Sequence, residues 1–286
     1  MKIKPMLLFI LLALSATALA NNYQLVWADE FNQDGDPKAG NWNLEHGFVR
    51  NNELQWYQPD NAFCSNGLLI IEGRKEWKPN PNHKPNSNNW KTKRKGAAYT
   101  SSCLTTKGLH SWQYGRFEIR AKIEARDGLW PAIWTLGVKG DWPNNGEIDI
   151  MEYYKGDILA NVASGTKRRW SPKWDTTKTP VAELGANWDD AFHVWRMDWT
   201  EKYIRLYVDD RLLNETLLST TNNPEGHPIK NPFHQPHYIL LNLAIGGING
   251  GDPAETQFPS RYEIDYVRVY QKERPENIRQ NDSVAE

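Results

Sequence analysis

Residues 144–156 read NNGEIDIMEYYKG and place three carboxylates within six positions: Glu147, Asp149 and Glu152. Ile148, Ile150, Met151 and Tyr153 stand between and beside them, so the segment otherwise reads as a buried strand. A desolvated carboxylate must be paired, hydrogen-bonded or kept protonated, which makes three together costly. Side chains alternate along a strand, so Glu147 and Asp149 share a face, whereas strict alternation sends Glu152 to the other. One extra residue inserted as a β-bulge, most simply at Met151, restores the phase and lines up all three acids. The two glutamates then have Cα atoms roughly 13 Å apart, four effective steps of about 3.3 Å. Long side chains leaning inward from there bring their carboxyl groups to about 5 Å, the separation between nucleophile and acid/base in a retaining glycosidase. Like charges at this range do not all ionise near neutral pH, so one carboxyl keeps its proton. A protonated Glu donates to a leaving glycosidic oxygen, an ionised Glu attacks the anomeric carbon, and the short Asp hydrogen-bonds the nucleophile and helps set the pKa values of the pair. The competing readings are a solvated strand face and a calcium cluster. Calcium sites favour acids on loops beside carbonyls and glycines, whereas these acids alternate with Ile, Ile and Met.

The elements that must hold such a strand are short and extended. Gly, Pro and Asn punctuate the chain every eight to fifteen residues or so, with β-type runs between them. The clearest runs are Gly67–Gly73, Arg116–Ile123, Glu147–Tyr153, Phe192–Trp199, Tyr203–Val208, Tyr238–Leu243 and Tyr262–Tyr270. From Phe117 to Ile123 apolar residues take every second place, which describes a strand with one face in the core and one in water. Val181–Leu184 reads as a short helical turn, and no long amphipathic helix is present. Many short strands with irregular connections indicate an all-β antiparallel sandwich or jelly roll, in one domain. Residues 75–96 fall outside this pattern, with three prolines, five asparagines and seven basic residues. A loop of that length in a compact domain is usually functional or mobile.

Composition narrows the partner. Thirty-four basic and 35 acidic residues leave a formal net charge of -1, without the field that steers nucleic-acid binding. Fourteen tryptophans supply flat faces for stacking on sugars as well as core volume. At the N-terminus, Lys2 and Lys4 precede an apolar run from Met6 to Leu14, and Ala18-Leu19-Ala20 offers a small-x-small cleavage site. Residues 1–20 therefore read as a secretory signal peptide rather than a membrane anchor. The expectation is an exported protein, periplasmic or extracellular, with residues 21–273 forming the domain and 274–286 a disordered tail. Cys64 and Cys103 are too few for a disulfide scaffold. Export permits them to pair, so one disulfide and two buried thiols both stand.

Gly146–Tyr153 resembles the active-site signature of glycoside hydrolase family 16, in the bulged form with one added residue before the last Glu. Asn52–Tyr57, Tyr114–Glu118, Gly128–Trp134 and Asp265–Tyr270 resemble further motifs of that family in the same order, so the resemblance covers nearly the whole mature chain. It implies a jelly roll of two curved antiparallel sheets with a substrate cleft on the concave face. It also implies Glu147 as nucleophile, Glu152 as acid/base and Asp149 as helper. The positions matching the family's sugar contacts are Trp130 and Trp142 for stacking and Asn52 and Arg74 for polar bonds. Catalysis is expected to need no cofactor, although family members often hold a structural calcium through acids matching Glu30 and Asp265. The expected partner is a polysaccharide or glycan, met by a monomer with no nucleic acid and no membrane anchor.

The motifs most resemble the laminarinase-like branch, which implies an endo-β-1,3(4)-glucanase. Two stretches depart from it. Lys167 and Arg168 fall where that branch usually places a cleft His, and Gly246-Gly247 is followed by Ile248-Asn249 without the usual tryptophan. The alternative is an endo-β-galactosidase acting on β-1,4-galactosyl bonds of galactan, keratan or mucin-type poly-lactosamine glycans, with Arg168 and Arg169 facing anionic groups. A non-catalytic sugar-binding module would be expected to have lost at least one of the two glutamates, and all three acids are present.

Overall fold

The computed structural model describes residues 23–273; the expected signal peptide and the C-terminal tail lie outside them. Two antiparallel sheets stack face to face. The first runs in the order Arg211–Leu217, Tyr203–Val208, His193–Trp199, Gly115–Lys122, Ser260–Lys272, Leu68–Gly73 and Ala62–Ser65, and Tyr23–Asp29 also pairs with Ser260–Lys272. The second runs Pro172–Pro180, Asp157–Gly165, Glu147–Tyr154, Leu129–Gly137, His237–Ile245, Cys103–Thr105 and Asn43–Leu44. All seven extended runs legible in the sequence are strands here, and the Val181–Glu183 turn is a single 3₁₀ turn.

The core lies between the sheets. From the first come Phe117, Ile119, Trp195, Met197 and Trp199; from the second, Ile148, Ile150, Met151 and Ile133. Each such side chain contributes about 1.5–3 kcal/mol on burial. Six tryptophans serve this packing, Trp42, Trp188, Trp195 and Trp199 within it and Trp27 and Trp112 against it. Cys64 and Cys103 are free, buried thiols in opposite sheets. That settles the pairing question against a disulfide.

Two strands escape sequence patterning for physical reasons. Leu129–Gly137 contains Pro131, which ordinarily argues against a central strand. Its ladder to the carboxylate strand begins one residue later, at Ala132 opposite Glu152. Pro172–Pro180 has little apolar content because it is an edge strand, bounded by two prolines that blunt further pairing.

The 75–96 segment is ordered by its own contacts. Lys78–Pro79 pairs with Gly96–Ala97, and Trp90–Lys93 forms one helical turn between them. The Asn80 amide donates to the carbonyls of Lys91 and Arg94, each at 2.8 Å, which ties the two ends of the excursion together.

Candidate active site

The carboxylate strand, Glu147–Tyr154, lies in the middle of the second sheet. Glu147 stands between Leu136 and Ala163, Asp149 between Trp134 and Asn161, and Glu152 between Ala132 and Leu159. The ladder to Leu129–Gly137 steps from Asp149 opposite Trp134 to Met151 opposite Ile133. On this side Ile150 is passed over, while toward Asp157–Gly165 Ile150 and Met151 together face Ala160. The bulge therefore comprises both, and both side chains are fully buried in the core. Two consecutive inward residues are what rotate Glu152 back onto the face of Glu147 and Asp149.

That face lines a cleft of about 660 Å³. The Trp142 indole N–H donates to Glu147 and the Trp130 indole N–H to Glu152, the latter at 2.8 Å. The Asn161 amide donates to Asp149 at 3.0 Å and to Glu152 at 2.8 Å. Asn161 is the main site residue the motifs did not single out. Its signal was an amide in the otherwise apolar strand DILANVASG, since a buried polar group is the informative exception.

Electrostatics follow from this packing. Burial pushes the Glu147 carboxyl up to about 7, with the charge of Glu152 adding to the rise and the Trp142 hydrogen bond opposing it. Burial also raises Glu152, against the bonds it accepts from Trp130, Asp149 and Asn161. Asp149 is raised well above the carboxylate range by burial and by the charges of Glu152 and Glu147. Asp149 therefore keeps its proton and, lying between the two glutamates, can donate it to one of them at a time. An ionised carboxylate beside a neutral carboxylic acid is the arrangement double-displacement chemistry starts from.

Trp142 is held by its turn. Asn223 donates to the Asn144 carbonyl at 2.8 Å, Gln235 donates to the Asn145 carbonyl at 3.0 Å, and Asn145 donates to the Gly137 carbonyl at 3.1 Å. Trp130 is braced edge-on by Tyr154, with ring centroids 5.5 Å apart. Both tryptophans line the cleft, and each is a donor to a carboxylate as well as an apolar face.

The other expected contacts need correction. Arg74 is not among the residues lining this cleft; it donates to Glu72 at 2.7 Å and to the Asp60 carbonyl at 3.0 Å. Asn52 lines a neighbouring depression, and its neighbours Arg50, Asn51 and Glu53 occupy the cleft wall instead. Asn51 and Asn52 both have left-handed backbone, which turns Asn52 outward. Lys167, Arg168 and Arg169 also stay out of the lining; Arg169 lies 3.9 Å from Asp141, both largely exposed. The cleft's cations are Arg50 and Lys178, on opposite sides of the carboxylate strand.

The residues matching calcium ligands do not fit that ion. Arg268 forms a two-pronged bond to Glu30, both contacts at 2.7 Å, and Arg120 pairs with Asp265 at 2.5 Å. Guanidinium groups thus already neutralise both acids. Among the described residues no group of three or more His, Cys, Asp or Glu is placed to hold a metal.

With this geometry established, the chain's relatives can be placed. It matches glycosyl hydrolases family 16 over residues 71–268 and belongs to that family. It is a glycoside hydrolase with the family's jelly-roll sandwich. The chain is 37% identical to a β-glucanase of Rhodothermus marinus, over 88% of this chain and 86% of that one. It is 33% identical to glucan endo-1,3-beta-glucosidase A1 of Niallia circulans, over 87% of this chain but 38% of that longer protein. The solved laminarinase of Rhodothermus marinus superposes with a TM-score of 0.73 at 35% identity, covering 88% of this chain and 98% of that one. A structure from work on endo-acting O-glycanases, with which prominent members of the human gut microbiota initiate mucin breakdown, superposes with a TM-score of 0.81 at 34% identity. It covers 89% of this chain and 93% of that one.

Proposed function

We propose that the chain is an exported, retaining endo-β-glycosidase that cuts internal bonds of β-1,3- or mixed β-1,3(4)-glucan. The observation that carries the reading is the bulge that brings Glu147 and Glu152 into the cleft with buried Asp149 between them on the same strand face. Glu147 attacks the anomeric carbon as the glycosidic C–O bond breaks, and Glu152 gives its proton to the leaving oxygen. In the second half, Glu152 takes a proton from water, whose oxygen displaces Glu147 with net retention. Asp149, between the two glutamates, holds a proton within reach of Glu152, and its transfer to Glu152 loads the acid before the first step. The glucan assignment is supported by the β-glucanase and laminarinase relatives. Export is supported by the N-terminal signature, and no helix among the described residues is long and apolar enough to cross a membrane.

A second reading, an endo-β-galactosidase of mucin-type or keratan glycans, is favoured by one observation. The superposition on the O-glycanase structure, at 0.81, exceeds that on the laminarinase of Rhodothermus marinus, at 0.73. Reducing-end release from laminarin, mixed-linkage glucan, agarose and a keratan-type glycan separates the two. Mixed oligosaccharides from laminarin support the glucanase. Release only from a galactose-containing chain replaces it with the second reading, and monosaccharide alone at early times removes endo action.

A further inference from the structure

The basic arm, residues 75–96, contributes no side chain to the cleft, yet its last turn reaches the cleft's wall from behind. The Arg94 guanidinium donates to the Asn52 carbonyl at 2.7 Å and to the Glu53 carbonyl. It lies against two touching aromatic rings, 4.9 Å from Phe48 and 5.0 Å from Trp90, whose own centroids are 5.8 Å apart. Trp90 belongs to the arm's helical turn, and the Asn80 bond to the Arg94 carbonyl sets where that turn ends. Much of the arm's internal structure thus converges on the placement of one guanidinium.

What it grips is an unusual turn. Asn51 and Asn52 are consecutive non-glycine residues with φ of 54° and 53°. Left-handed backbone is unfavourable for residues with a Cβ, and asparagine only softens that cost. From the front the same turn is held by the Ile248 N–H, which donates to the Asn51 carbonyl at 2.9 Å. This approach is close enough that a Cβ on Gly247 would lie 2.8 Å from that carbonyl oxygen, and Gly247 itself has φ of 76°. Three successive carbonyls, of Asn51, Asn52 and Glu53, are therefore each held by a group from elsewhere in the chain.

The turn delivers Arg50, Asn51 and Glu53 to the cleft. Arg50 pairs with Glu45, sits 5.1 Å from the Trp134 ring centroid and lowers the pKa of Glu147 through its charge. Glu53 is buried and accepts from Gln55 at 2.7 Å and Asn51 at 3.3 Å.

We propose that Arg94 is a positioning residue for substrate binding: it clamps the left-handed Asn51–Asn52 turn and so sets the wall that Arg50, Asn51 and Glu53 present to the sugar chain. The inference rests on reading the cleft as the glycan site. Without the clamp the turn relaxes, which weakens the wall's hold on the sugar and leaves the carboxylate strand as it was. Arg94→Met is expected to raise KM for the polymer about tenfold or more, the scale of a charged hydrogen bond, with kcat changed less than about threefold. Exchange of the amides in residues 50–54 should quicken, while that of residues 147–154 stays unchanged. Arg94→Lys, which reaches one carbonyl at a time, should fall between, and it serves as the test if the Met variant does not fold. A uniform loss of kcat at constant KM, with a lowered melting temperature, would mean a merely structural residue and overturn the proposal. Unchanged exchange at 50–54 would also overturn it. The exchange measurement needs no substrate, so absence of turnover by the wild type on every glycan would defeat the proposed function while the clamp is still decided.

Discussion

The carboxylate strand and the Arg50–Glu53 wall both hold charged groups in a half-dry cleft, and they are built in opposite ways. The strand does so with eight contiguous residues and one bulge, and its acids are tuned by their own neighbours Asp149 and Asn161. The wall is assembled from separated segments: Glu45 pairs with Arg50, Arg94 caps two carbonyls, and Ile248 caps a third. On the proposed function, the reacting acids come from one strand, whereas the groups that would recognise the sugar are spread along the chain. Changes in the strand should therefore act on kcat, and changes in the wall on KM.

The largest effect tests the first half of that contrast. Glu147→Gln should lower kcat by about 10⁴-fold or more on any substrate, with binding of oligosaccharide retained. It should also stabilise the protein at alkaline pH. The folded-state pKa of Glu147 lies above its unfolded value, so the folded chain holds the extra proton and loses stability as pH rises through about 7. The melting temperature of the variant should match the wild type near pH 4 and exceed it at pH 8. A variant keeping a tenth of the activity would remove Glu147 as nucleophile. Glu152→Ala should cost about 10²–10⁴-fold on natural glycans and far less on an activated aryl glycoside, where added azide should restore turnover with retained configuration. An inverted azide product would reverse the assignment of the two glutamates.

The same contrast explains what could be read in advance. The strand runs and the three acids were legible because alternation and carboxylate spacing are short-range signals. The bulge was legible as a necessity, and it comprises Ile150 together with Met151; both are equally suited to face the core, and only the ladder to Ile133 distinguishes them. Arg74 and Asn52 were misplaced for a different reason. Their positions depend on partners distant in sequence or on backbone handedness: Arg74 on the Asp60 carbonyl, Asn52 on a left-handed turn gripped from residue 94. No local pattern encodes such a contact. The calcium expectation meets the same limit, since nothing in Glu30 or Asp265 announces that Arg268 and Arg120 pair with them.

A smaller effect sharpens the boundary between strand and wall. Trp142 both faces the cleft and donates to Glu147. Trp142→Phe keeps an aromatic face but deletes the donor, which favours the ionised carboxylate. Without it the Glu147 pKa should rise further, so the acid limb of kcat/KM should move to higher pH, with a loss of about tenfold at pH 6 and little at pH 8. A uniform loss at all pH values would instead make Trp142 a stacking surface alone.

The smallest effect is the one that separates the two substrate readings. The edge strand Pro172–Pro180 brings Trp174, Thr176 and Lys178 to the cleft on the side away from Arg50. Lys178 shares a row with Glu152 through Leu159, about 10 Å away across two strand spacings of roughly 4.8 Å. Arg50 is paired with Glu45, whereas no described carboxylate forms a salt bridge with Lys178, so Lys178 is the cleft cation left for a ligand's charge. A neutral β-glucan offers it only hydroxyls. Lys178→Ala should then change kcat/KM on laminarin by no more than about threefold, the scale of one exposed hydrogen bond, and turnover should be nearly indifferent to salt. A sulfated or sialylated galactose chain would place its anion there. Its turnover should fall steeply between low salt and about 0.1–0.2 M, where exposed charges are screened within about 10 Å, and Lys178→Ala should abolish much of that dependence. Salt-insensitive cleavage of laminarin, unchanged by the substitution, would end the anionic reading; salt-steep cleavage of a keratan-type glycan, flattened by it, would end the glucan one.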